Sequence, residues 1–337
     1  MLFSVGYNPD NDRFLDVLED CKENIAEVYF AYGGIPNGRG TVNLGVSLSE
    51  NEPSAKTEED LKAISSLGIK LNLLLNANCY GKDAQAREFY IKIGDTVEHL
   101  LNEYGLYGVT TTSPLIAKFL KQNFEGLEVR ASVNMEIGTQ EGMDYLAEYF
   151  DAFYLKREYN RNEQMLKAAR RWCDENGKKL YGLANSGCLN FCSSHIFHDN
   201  LVAHESEIAT ADNAYQYEGQ CWEYLKNDAK KADWLRLTNF IRPEDVSLYE
   251  GVFDGMKLAT RVSRNAAGII RAYTKGSFNG SLHQLLEPNH SGLFYPTVID
   301  NKSICADFGE RVMKCEKNCT ACGYCSTVQR NATIILE

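Results

Sequence analysis

The segment GCLNFCSSHIFHDN, residues 187–200, brings two cysteines, two histidines and an aspartate into one short stretch. Three readings suit that set. Two thiolates with an imidazole can hold zinc or part of an iron–sulfur cluster. A thiolate beside an imidazole base can act as a nucleophile, as in a thiol protease. A polar helix with two packing cysteines would do neither. If the segment is helical, a turn of about 100° per residue places Cys188, Cys192, His195 and Asp199 within about 40° of one another, with His198 to one side. A thiol protease also needs an oxyanion donor and a third member, which the sequence does not name, and two neighbouring cysteines are redundant for that task.

A second stretch, CEKNCTACGYC, spaces Cys315, Cys319, Cys322 and Cys325 as C-x3-C-x2-C-x2-C. Close spacing lets several thiolates converge on one centre, and C-x2-C-x2-C is the spacing of iron–sulfur loops. A structural zinc prefers two well-separated C-x2-C pairs. Cys305 competes with Cys315 for the fourth place. The chain holds eleven cysteines. Its opening, MLFSVGYNPDNDRF, has neither a basic flank nor a long apolar stretch, so no signal peptide is expected and the expected compartment is the cytoplasm. Thiols stay reduced there, which leaves metal binding or redox chemistry as the leading use of the cysteines. Cys21 and Cys173 fall in helical patterns and read as packing residues.

These residues need a scaffold, and the chain supplies an alternating one. Extended candidates begin at Leu2, Ala26, Ile69, Tyr107, Leu127, Ala152, Lys179, Trp234 and Gly255. Amphipathic segments such as TEEDLKAISSLG and SPLIAKFLKQNF lie between them, the latter with Ser113 as N-cap and Pro114 in the first turn. Such repetition predicts an α/β fold, a (β/α)8 TIM-barrel-like domain over residues 1–275. Nine candidates for eight places mean that one is misread or lies outside the barrel. Residues 276–337 begin with a Gly-, Ser-, Asn- and Pro-rich stretch and lead to the cysteine motif, which reads as a small metal-binding tail.

On a barrel, Cys188 and Cys192 follow the strand KLYGLANSG and stand at the C-terminal rim, where such enzymes keep their chemistry. Cys79 follows the strand LNLLLNAN, and Cys221 precedes Trp222 on another rim segment. The expected ligand set for a rim [4Fe–4S] cluster is therefore Cys79, Cys188, Cys192 and Cys221. Zinc on Cys188, Cys192 and the histidines is the alternative. His195, His198 and Asp199, with Arg157 and Glu158 at the end of another strand, are the candidate catalytic side chains. Lys257, Arg261 and Arg39 are candidates for binding an anionic substrate, since a guanidinium grips a carboxylate bidentately. The same rim charges could instead form salt bridges among themselves. The loop GGIPNGRG around Arg39 lacks the G-x-G-x-x-G fingerprint of a nucleotide site. YQYEGQCWEY is aromatic enough to cover a cluster, stack a ring or simply pack.

Several stretches together resemble the collagenase-like family of unassigned-type peptidases, family 32. AEVYFAYGGIPNGRG is similar to an early strand and loop of that family, with Arg39 at its arginine. AFYLKREYNRNE resembles a strand that ends in an Arg-Glu pair, here Arg157 and Glu158. GMKLATRVSRNAAGIIRAY resembles the family's KIEGR strand and the helix after it, through Lys257, Arg261, Arg271 and Tyr273. The resemblance spans residues 1–275 and implies a barrel. It also implies, from several branches, a four-cysteine [4Fe–4S] cluster and oxygen-independent hydroxylation, while other members work as heterodimers or process peptides. Three departures stand out. The cysteines around Cys188 differ from those of the RNA-modifying members, Ala259 replaces the KIEGR glutamate, and the ferredoxin-like tail is not a general feature.

The net charge of −11 disfavours broad nucleic-acid binding, and no apolar run approaches the roughly 20 residues of a membrane span. A hydrophobic content of 44% with 24% charged residues describes a globular protein. The expected partners are a small-molecule or peptide substrate and a redox partner or hetero-oligomer. The expected function is an iron–sulfur, oxygen-independent oxidoreductase or hydroxylase. The alternatives are a peptidase and a non-catalytic iron–sulfur electron-transfer or scaffold subunit.

Overall fold

In a computed structural model, residues 1–38 and 54–336 are described. Arg39 lies outside them. Eight parallel strands close into a barrel in chain order: β1 (Phe3–Gly6), β2 (Ile25–Phe30), β3 (Lys70–Leu75), β4 (Gly108–Thr111), β5 (Glu128–Ala131), β6 (Ala152–Tyr154), β7 (Lys179–Leu183) and β8 (Gly255–Leu258), with β1 pairing to both β2 and β8. Strand residues alternate between two environments. Phe3, Val5, Val28, Phe30, Leu71, Leu73, Val129, Met256 and Leu258 belong to the large apolar core outside the barrel wall. Helices such as Pro114–Asn123 and Glu163–Glu175 start on side-chain caps, Ser113 accepting from the Ile116 N–H and Asn162 from the Met165 N–H.

The barrel interior is more polar than its outer wall. Arg130 is 1% exposed and donates to Glu27 at 2.7 Å and to Glu128 at 2.5 Å. Ser4 donates to Glu27, and Lys179 pairs with Glu128. The Arg130 guanidinium also lies 4.3 Å from the ring centroid of Tyr181. A buried ion network of this kind is tolerable only when every charge has a partner, and it fixes which strands face one another.

The ninth strand candidate, at Trp234, is corrected by the structure. Trp234–Leu237 is a single helical turn within the excursion that joins β7 to β8, residues 184–254. The buried Arg161 takes the carbonyls of Leu235, Thr238 and Phe240 at 2.7–3.0 Å, and Asn190 N–H takes that of Leu237 at 2.7 Å. Acceptors engaged in this way cannot join a strand ladder.

Beyond residue 275 the chain forms short elements, including the antiparallel pair β9 (Thr297–Ile299) and β10 (Thr333–Ile335) and the helix Tyr324–Ala332. Leu282, Leu285, Phe294, Phe308, Val312 and Val328 belong to the same apolar core as the barrel helices. The tail is therefore held to the barrel by apolar packing. Gln329 and Ser326 fasten it to the excursion, Gln329 accepting from Leu235 N–H at 2.7 Å and Ser326 donating to Asp233 at 2.6 Å.

Candidate active site at the barrel rim

Loops from the C-terminal ends of the strands surround one pocket. Its walls include Cys188, Cys192, Cys221, His195, His198, Asp199, Arg157, Lys257, Arg261, Asn76, Asn134, Glu287 and Pro288. The stretch 188–194 is not helical, which corrects the helical-stripe expectation. A helix begins only at His195 and runs to Ala203. Ahead of it, Phe191 has φ +51°, Leu189 bridges to Thr238, and the Phe191 N–H donates to buried Glu158 at 3.3 Å. These contacts hold the two cysteines on an irregular loop, while His195, His198 and Asp199 lie on the helix.

His195 sits between two carboxylates. Its Nδ1 bonds Glu136, and its Nε2 lies 3.4 Å from Asp199. The hydrogen bond from His195 holds the Glu136 carboxyl down at about 2. The Asn78 amide donates to Asp199 and to the Asn134 carbonyl, each at 3.4 Å. His198 also lines the pocket, edge-on to Tyr217.

Arg157 and Glu158 lie on a 3-10 turn just past β6 and are 8% and 4% exposed. Arg157 donates to the Cys188 sulfur at 3.5 Å, while its Nε and Nη2 find no hydrogen-bond partner among the described residues. Burial disfavours its charge, but the negative field of Cys188, Asp199, Glu158 and Glu136 outweighs that. Lys257 lies on β8, over the Tyr29 ring at 3.9 Å, and burial, reinforced by Arg261, lowers it to about 7. Arg261 donates to Asn37 at 2.7 Å.

Three of the four expected rim ligands share the pocket. Burial pushes Cys221 up to about 12, with Cys188 and Cys192 adding to the rise, and burial also raises Cys192. Such crowded thiols suit a site in which a cation offsets their charge. Cys79 stands apart from the pocket walls, its sulfur accepting from the Gly81 N–H at 3.4 Å. Among the described residues no group of three His, Cys, Asp or Glu side chains is already gathered to hold a metal ion.

In the tail, Cys315, Cys319, Cys322 and Cys325 line a second cavity of about 430 Å³ beside Arg236 and Lys314. The Lys317 N–H points at the Cys315 sulfur at 3.3 Å. Cys305 is outside that cavity, against the Tyr324 hydroxyl at 3.2 Å. Cys315 is therefore the better-placed fourth donor.

Several residues of the rim were not singled out from the sequence. Asn76 and Asn185 each follow a strand, and a polar amide just past an apolar strand was the signal for them. Asn76 accepts from the Gly38 N–H at 3.0 Å, and Asn185 ties the ends of β7 and β8 to Leu285. Glu287 and Pro288 come from a segment strapped beside Asn185–Gly187, with Gly187 N–H donating to the Glu287 carbonyl at 2.9 Å. Nothing local marks them. Of the aromatic stretch 215–224, Tyr217 lines the pocket and Trp222 packs edge-on against His290.

No family model matches the chain. A protein named as an uncharacterized protease of Methanocaldococcus jannaschii is 26% identical over 352 aligned positions, covering 98% of both chains. Among solved structures, the U32 peptidase Mk0906 superposes with a TM-score of 0.55 at 15% identity, over 76% of this chain and 91% of that one. The chain is thus similar along nearly its whole length to a protein named as a protease, and it shares its barrel fold with the U32 peptidase Mk0906.

Proposed function

We propose that the chain is an enzyme whose reaction takes place in the rim pocket, at an iron–sulfur cluster held by Cys188, Cys192 and Cys221, on a small anionic or peptide substrate. One observation carries this reading. Three cysteines share a pocket with a buried guanidinium, Arg157, two of whose nitrogens have no hydrogen-bond partner among the described residues. A buried charged donor left open in this way suits a ligand with acceptor oxygens. When bound, the cluster would supply a Lewis acid or an electron acceptor for oxygen-independent oxidation or hydroxylation.

The chain's own residues would do the rest. Arg157 would grip a carboxylate, with Arg261 guarding the same wall. Lys257, poised near neutrality, would give or take a proton at its Nζ. His195, clamped by Glu136 and Asp199, would orient substrate without swinging, and Glu287–Pro288 would shield the pocket from water. The tail cysteines Cys315, Cys319, Cys322 and Cys325 would hold a second centre that passes electrons to or from a partner protein. Zinc remains the competing metal at each site.

Anaerobic purification with iron, sulfide and zinc analysis tests the reading. Iron and sulfide at the level of two clusters, falling by half in Cys188→Ser, support it. Stoichiometric zinc without sulfide refutes it. A second reading, peptide cleavage, is favoured by the name of the archaeal relative. Under it, a Cys188→Ser variant keeps its metal and turnover appears as new peptide termini.

A further inference from the structure

One basic side chain of the rim pocket has no anion of its own. In β8 the pleat sends Met256 and Leu258 to the apolar core outside the barrel wall and turns Lys257, between them, inward. There Lys257 is buried and lines the pocket. Its Nζ lies 3.9 Å from the ring centroid of Tyr29 and 5.7 Å from that of Tyr154. Among the described residues that nitrogen makes no hydrogen bond and no ion pair. The charges around it are Glu27 on β2, Arg130 on β5, Arg157 past β6 and Arg261 past β8. Burial, and then three guanidiniums against one carboxylate, favour the neutral amine. An amine kept neutral in a cavity is a nucleophile, and its natural target is a carbonyl carbon. Arg157 and Arg261 line the same pocket, and two Arg157 nitrogens have no hydrogen-bond partner among the described residues. That pair suits a carboxylate carried beside the carbonyl.

We propose that Lys257 is a catalytic nucleophile that forms an imine with the carbonyl carbon of an oxo acid, whose carboxylate lies against Arg157 and Arg261. The inference rests on the rim pocket being the reaction site and asks nothing of the cysteines or their metal. Tyr29 and Tyr154 present ring faces to the nitrogen, which suits the cation that the imine becomes.

In the reaction the Nζ lone pair adds to the carbonyl carbon as one amine proton moves to the oxygen, giving a carbinolamine. The hydroxyl takes a proton from solvent and leaves as water, and the C–N bond becomes a protonated imine. That cation draws electrons from the neighbouring carbon, which loses a proton to water as an enamine forms. Reprotonation of the carbon and attack of water on the imine return the oxo acid and free the lysine. No oxidant or reductant is consumed.

The test uses the full chain, purified anaerobically, with pyruvate and glyoxylate as probes and cyanoborohydride to trap the imine. The expected result is one reduced adduct per chain, mapped by mass spectrometry to the Lys257 peptide. In deuterium oxide the pyruvate methyl protons should exchange, read by NMR. Trapping should fall about tenfold for each pH unit below about 7 and level off above, because only the neutral amine adds. An ordinary surface lysine would still be gaining rate at pH 9. Lys257→Arg keeps the charge and should lose both adduct and exchange while pyruvate still binds in equilibrium dialysis. The proposal is overturned if neither probe gives an adduct with the parent protein, since Lys257 would then only pair with an anion. It is also overturned if the adduct maps to another lysine, or if Lys257→Arg exchanges the methyl protons at the parent rate. An adduct at Lys257 in protein that holds stoichiometric zinc and no sulfide refutes the cluster reading alone. Iron and sulfide at the level of two clusters without an adduct refute the imine alone.

Discussion

Replacing Lys257 with Met should stabilise the protein near neutral pH and stop doing so in alkali. Lys257 is 8% exposed, and burial, with Arg261 second, lowers its pKa from 10.5 to about 7. The unfolded chain keeps the ordinary value. Between pH 7 and 10.5 the unfolded state therefore binds more protons than the folded one, and stability rises with pH across that window. At about 1.4 kcal/mol for each pKa unit, the lysine costs about 5 kcal/mol below the folded value and nothing above the unfolded one. Methionine is unbranched and apolar, so it fits the same channel without the charge. It forfeits the contact of the ammonium with Tyr29, worth about 1–2 kcal/mol when desolvated. The net gain is about 3 kcal/mol at the acid end of the window, shrinking toward zero near its alkaline end. Urea unfolding of parent and variant, in the same metal state and at several pH values from 6.5 to 9.5, measures the difference directly. A stability difference that stays constant with pH, or a less stable variant at pH 6.5, would refute the reasoning. The same variant should also lose affinity for an anionic substrate.

Arg130→Met leaves Glu27 and Glu128 buried without their shared counter-charge, and should cost about 3–5 kcal/mol in denaturant unfolding. Gly187→Ala sets a Cβ 2.2 Å from the Pro288 carbonyl oxygen, so the strap must move. Overpacking of that kind costs about 1–3 kcal/mol, and hydrogen exchange should quicken across residues 285–290. Glu136→Gln removes a carboxylate held at about 2 by His195. Such a group adds stability that is present above its ordinary pKa and lost as pH falls through the folded one, so acid unfolding should flatten between about pH 4.5 and 2. The loss at neutral pH should stay below about 3 kcal/mol, because the Glu136 side chain is 22% exposed.

Much of the scaffold could be read in the chain because parallel strands bury one face against helices and therefore run apolar, as in IAEVYF and KLNLLL. WLRLTNF carries the same pattern, yet it became a turn and loop. Its carbonyls are claimed by Arg161, a partner distant in sequence that no local rule foresees. The helical stripe through Cys188 failed for a similar reason: Glu158 and Thr238 hold the backbone of 188–194 in an irregular path.

By itself, then, the sequence determined the (β/α)8 barrel, the placing of Cys188 and Cys192 after a strand, and the clustered tail cysteines, because periodicity and short spacings are local properties. Tertiary structure alone decided which distant side chains share a wall. It held Cys79 apart from the pocket walls, clamped His195 between Glu136 and Asp199, and left two Arg157 nitrogens without a partner among the described residues. The physical reason is that rim loops are positioned by the closure of the barrel. Contacts among them depend on strand order and tilt, which no single segment encodes.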